Sequence, residues 1–160
     1  MKRCVIVSKK AFRIIKDSVF RTDNQYETGG VLIGYQLWRL YLVVAATTSK
    51  ETNKSTMISF VLDGAEHTRQ ADDMIRKFKN APAVLGIWHN HICDGLTFSK
   101  QDQISNKLFA EAFDGALSML VAQRSNRVSL SVAYISAVGT HADCSIIICK
   151  KRKNGVTSCE

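Results

Sequence analysis

The sequence predicts an α+β protein, a mixed β-sheet flanked by helices and folded as one domain. Three observations carry this. Helical apolar spacings alternate with β-rich runs, hairpins stand towards both ends of that order, and nothing in the 160 residues marks a linker. With 46% apolar and 22% charged residues, a chain of this length buries a sizeable core.

The elements follow in order. Lys10 to Arg21 places Phe12, Ile15 and Val19 on one helical face. ETGGVLIGYQLWRLYLVVAATT reads as two strands joined near Gln36 to Arg39, a hairpin. A polar loop, Ser49 to Ser55, leads to a strand over Met57 to Leu62. Ala65 to Lys79 is a helix with Ala71, Met74, Ile75 and Phe78 on one face. Ala83 to Trp88 is a buried-type strand, and Asp102 to Phe113 a helix with Ile104, Leu108 and Ala112 spaced by four. Strands over Ala116 to Ala122, Val128 to Ile135 and Cys144 to Lys150 complete the set.

Composition narrows the function classes. No run reaches the roughly 18 apolar residues of a membrane span, and the apolar stretch in MKRCVIVSKK is too short for a signal peptide, so a cytoplasmic location is expected. Five cysteines without any CxxC spacing suggest reduced thiols. The net charge of +8 lies in two terminal patches: Lys2, Arg3, Lys9 and Lys10, and the run Lys150 to Lys153. Without those eight charges, 14 basic residues face 14 acidic ones, which argues against a nucleic-acid partner.

The chemistry concentrates in GIWHNHICDGLTFSKQD. His89 and His91 stand two apart at a strand end, so their side chains share a face. Two imidazoles and a carboxylate, here Asp102, form a common divalent-metal set. Ser99-Lys-Gln-Asp102 is equally a plain helix start, with serine as N-cap and an acid three residues on. The two readings are compatible, because a capping box would hold Asp102 in place. Glu27, at the head of GGVLIG, is positioned as a possible base or as an ordinary surface residue before a strand. Trp88, next to His89, should face away from the histidines and pack in the core.

Glu27 ahead of GGVLIG, then His89-x-His91, seven residues, Ser99, two residues and Asp102, resembles the JAMM motif of the JAB/MPN-domain zinc metalloproteases. FVLDGAEH and GIWHNH add to a likeness that covers nearly the whole chain. The resemblance implies an MPN/JAB, cytidine-deaminase-like architecture, with 1–150 as the metallopeptidase domain and 151–160 as a basic, flexible tail. It implies Zn²⁺ held by His89, His91 and Asp102, Glu27 as the general base, and Ser99 as an oxyanion donor. The implied substrate is an amide or isopeptide bond after the C-terminal glycine of a ubiquitin-like protein, or a protein conjugated in that manner. The compact chain looks most like stand-alone bacterial deconjugases of conjugation or antiphage defence systems. A catalytically silent MPN-type scaffold and a DNA-repair-associated JAB protein are the alternatives. One departure is Ile92, followed by Cys93, where the family usually has proline; its loss would loosen the loop or reshape the cleft.

Overall fold

Nine strands share one mixed sheet in the order β7-β6-β5-β4-β2-β3-β1-β8-β9. The structure, a computed structural model, describes residues 2–22, 26–49, 64–92, 95–151 and 157–159. The strands are β1 (Cys4–Val7), β2 (Gly29–Leu37), β3 (Leu40–Ala46), β4 (Ala83–His91), β5 (Ala116–Arg124), β6 (Arg127–Ile135), β7 (His141–Asp143), β8 (Ser145–Lys151) and β9 (Thr157–Cys159). The helices are α1 (Lys9–Arg21), α2 (Gly64–Ile75) and α3 (Lys100–Ala112). The expected strand over Met57 to Leu62 lies outside the described residues, as does Cys93.

The expected architecture, an MPN/JAB, cytidine-deaminase-like sheet flanked by helices, is corrected here. The first eight strands of the order curl into a nearly closed mixed barrel carrying three helices. The cause is the path of the chain at the two ends of the sheet. β7 pairs with β6 and β8 pairs with β1, yet only Cys144 separates β7 from β8. The Cys144 N–H donates to Val132 O (2.9 Å) and the Ser145 N–H to Arg3 O (2.9 Å), so one residue joins the two borders. Arg3 stacks over the Tyr134 ring at 3.7 Å across the same seam.

β1 was not foreseen as a strand. CVIV is only four residues long, and it lies parallel to both β3 and β8, partners far away in sequence. The short β7 was not expected either, whereas β8 matches the expected strand over Cys144 to Lys150 within a residue at each end. Within 151–160, Lys151 ends β8, and Thr157–Cys159 pair antiparallel with Cys149–Lys151.

Inside the curl, Val5, Val7, Leu32, Tyr41, Val43, Trp88, Leu117, Met119 and Val121 pack with Ala11, Ile15 and Val19 of α1. That helix begins at Ser8, whose hydroxyl accepts from the Ala11 N–H (3.2 Å). α2 and α3 lie on the outer face. Ala71 of α2 covers Val31, Ile33 and Ala45, and Ala110 of α3 packs with Ala116, Ala133 and Ile135.

The expected apolar stripe of α3 does not face the sheet. Ile104 and Leu108 are 56% and 63% exposed, whereas the buried residues of the helix are Asn106 and Ala110. A stripe of Asp102, Asn106 and Ala110 points inwards instead, at the same spacing of four.

A bulge sets which face carries the histidines. Leu32 pairs with Gly86 but Ile33 with Val84, leaving Leu85 as an extra residue. Val84 and Ile87 therefore pack on the outer cluster, and Leu85 and Trp88 in the inner one. Simple alternation from Leu85 would have buried His89 and His91 inside the barrel. The bulge turns both outwards, beneath the helices.

Candidate metal centre

β4 ends in the two histidines and α3 begins two residues before the aspartate, so the site lies where a strand end meets a helix start. His89 Nε2 is 3.2 Å from His91 Nε2 and 3.0 Å from Asp102 Oδ1, and His91 Nε2 is 3.2 Å from Asp102 Oδ2. Three potential ligand atoms thus converge, and the group could hold a metal ion. The fit is geometric as well as chemical. Four ligands at about 2.0–2.2 Å around a tetrahedral ion are separated by about 3.3–3.6 Å, within a few tenths of these distances.

The helix start fixes the carboxylate. Ser99 is the N-cap of α3; its Oγ accepts from the Asp102 N–H (3.1 Å), and the Ser99 N–H donates to Asp102 Oδ2 (2.7 Å). The cap and the ligand set are therefore one device, with Oδ2 shared between the Ser99 backbone and His91. Because the Ser99 Oγ accepts that bond, its own proton remains available to a further acceptor.

Glu27 is buried (6% exposed) on the same face. The β2–β4 register pairs Gly29 with His89, and the Asn90 N–H donates to Thr28 O (2.9 Å), so the antiparallel count sets Glu27 opposite His91. Thr28 is locked from the inner side: its N–H donates to Asn90 Oδ1 (2.5 Å), and its hydroxyl meets Ser18 Oγ at 3.2 Å. Asn90 is fully buried between the two histidines in sequence and on the opposite face from them. The sequence reading gave Asn90 no role; strand alternation through HNH was the signal that could have found it.

Charge follows from this packing. Burial raises the Glu27 carboxyl from 4.5 to about 7, against the attraction of His91 and with the repulsion of Asp102. Burial also acts to raise the Asp102 carboxyl, but hydrogen bonds with His89, His91 and Ser99 outweigh it and hold the group well below the usual carboxylate range. His91 is raised chiefly by its hydrogen bond with Asp102, against desolvation. One carboxylate is kept ionised beside the imidazoles, and the other is poised near neutrality.

A second buried imidazole supports the strand below. His67 of α2 (2% exposed) lies 2.6 Å from Thr47 Oγ1, which accepts from the Val31 N–H (2.9 Å). The Trp88 indole N–H donates to Thr47 O (2.9 Å), and its ring packs in the inner core as expected. Gly30 permits this crossing, because a Cβ there would lie 2.2 Å from Thr47 O. Ile92 is partly exposed directly after the site.

No family model matches the chain, and no curated protein matches it. Among solved structures, the chain is similar to the solution structure of protein DSY2949 from Desulfitobacterium hafniense. The TM-score is 0.71 at 18% identity, over 94% of this chain and 96% of that one. That likeness is one of fold. No described helix is long and apolar enough to cross a membrane.

Proposed function

We propose that this chain is a zinc-dependent peptidase or isopeptidase of the JAMM type, acting on a ubiquitin-like protein or its conjugate. The observation that carries the reading is the convergence of His89, His91 and Asp102, with buried Glu27 opposite His91 on the same face. The residue order and spacing of the motif accompany it.

His89, His91 and Asp102 would hold the ion, which when bound would supply a Lewis acid and lower the pKa of water towards neutrality. Glu27, with its carboxyl near 7, takes a proton from the attacking water and returns it to the leaving amine. One water adds to the amide carbonyl, the C–N bond breaks, and a carboxylate and an amine leave. The Ser99 hydroxyl donates a hydrogen bond to the oxyanion of the tetrahedral intermediate. Asn90, through the Thr28 N–H, fixes the strand that carries Glu27. The setting we propose is cytoplasmic, such as a bacterial conjugation or antiphage system.

The test has two stages. Protein purified without chelator should contain near-stoichiometric zinc, and His89→Ala/His91→Ala should contain none. The wild type should then cleave fusions placed after the C-terminal glycine of a ubiquitin-like protein, and Glu27→Ala should not. A wild type that takes up no divalent ion would overturn the proposal.

A further inference from the structure

Asp102 is only as well placed as the helix that carries it. Of the larger apolar side chains of α3, Ile104 and Leu108 are exposed and Phe109 is partly buried against the outer clusters, while the fully buried residues are Asn106 and Ala110. Phe109 and Ala110 hold the helix by apolar contact, which leaves its roll and register loosely set. Asn106 is different: it is 1% exposed, and its Oδ1 accepts from the hydroxyl of Ser118 on β5 (2.8 Å), which is also 1% exposed.

The location of that bond matters. Asn106 lies one turn after Asp102 on the inward stripe of the helix. Ser118 pairs with Ile87 of β4, two residues before His89 and on the same outer face. The bond therefore ties the helix of the carboxylate to the strand next to the histidines. It closes a short circuit from Asp102 to Asn106, Ser118, Ile87 and back to His89. Among the described residues, Asn106 Nδ2 is buried without a hydrogen-bond partner. Burying half an amide unsatisfied costs stability, and an aliphatic side chain would pack there without that cost. The retained polar group fixes the roll and register of α3 instead, the role for which buried polar groups are best attested.

We propose that Asn106 is a positioning residue for Asp102, setting its carboxylate against the two imidazoles through the bond to Ser118. This rests on the reading of His89, His91 and Asp102 as a metal centre. Groups that orient metal ligands from behind typically contribute about 10–100-fold in affinity.

Cobalt(II) titration of the metal-stripped full chain tests it, read by visible absorption and by competition with zinc. Asn106→Leu and Ser118→Ala should each weaken cobalt binding about tenfold or more and change the absorption bands of the bound ion. Their combination should lose no more than one single substitution does, and Ser118→Thr, which keeps the hydroxyl, should restore wild-type affinity and spectrum. Thermal melts of the metal-free variants verify folding, and Ser118→Ala alone decides if Asn106→Leu fails to fold. Wild-type affinity and spectrum in folded Ser118→Ala would overturn the role of Asn106 while leaving the metal centre standing. A wild type that binds neither ion would overturn both.

Discussion

Glu27 stands opposite His91 across the β2–β4 pair, buried on the face that also carries His89. A base in that place is separable from the ligand set. Glu27→Gln should keep its metal content while kcat falls about 10²–10⁴-fold, the range of a general base. Metal analysis beside single-turnover kinetics checks this; an active Glu27→Gln enzyme would remove the residue from the chemistry.

The same carboxyl makes the metal-free protein sensitive to pH. Its folded pKa, about 7, lies above the ordinary 4.5, so the native state holds the proton more tightly than the unfolded chain does. That contribution is fully present below about 4.5 and is lost as pH rises to about 7. In full it amounts to roughly 3 kcal/mol, of which most is lost between pH 5 and pH 8. Metal-free wild type should therefore lose several degrees of Tm between pH 5 and pH 8, a loss that Glu27→Gln removes. Equal slopes for the two proteins would contradict it.

Ligand loss should appear as a missing stabilisation. At free zinc about 100 times its Kd, wild type should gain about 2.7 kcal/mol, or roughly 5–10 °C in Tm. His89→Ala and Asp102→Ala should show no such gain. A shift that persists in both would place the ion elsewhere.

Ser99 caps α3 and, in the proposed function, is also an oxyanion donor; the two roles can be divided. Removing the cap in Ser99→Ala should cost about 1 kcal/mol in urea unfolding. Loss of the oxyanion donor should lower kcat by a further 10²–10³-fold, or about that order. A rate loss no greater than the loss of folded protein would leave Ser99 as a cap alone.

Gly30 is a packing requirement. Its missing side chain admits Thr47 O, to which the Trp88 indole also donates. Gly30→Ala should cost about 3 kcal/mol by urea midpoint, because backbone atoms must move. An unchanged midpoint would show that the crossing has slack.

Local features of this protein were legible in its sequence. The three helices, the β2–β3 hairpin and the strand leading to the histidines follow from apolar spacing and are observed close to the expected bounds. His89, His91 and Asp102 were chosen by residue type and spacing, and the structure brings them together. Legibility failed where the outcome depends on distant pairing. CVIV is too short to declare itself as a strand, and no pattern within it encodes partners near residues 40 and 145. Curling of the sheet hangs on the single residue Cys144 between β7 and β8. The inward face of α3 was misread because apolar Ile104 and Leu108 suggested a core, while polar Asn106 occupies it. The Leu85 bulge was likewise invisible, since VLGIW alternates on neither face cleanly.

The seam at Cys144 has a consequence for synthesis on the ribosome. β1 emerges long before its second neighbour, β8, on the order of ten seconds earlier at typical translation speeds. Glu27, His89, His91, Asp102 and Ser118 all leave the exit tunnel before β8 does, so the face that carries them can assemble on a wall still open along one edge. Throughout that interval the apolar run CVIV presents an unpaired border, open to any other nascent strand. Slow elongation between residues 120 and 145 would prolong the exposure without touching a single residue of the site.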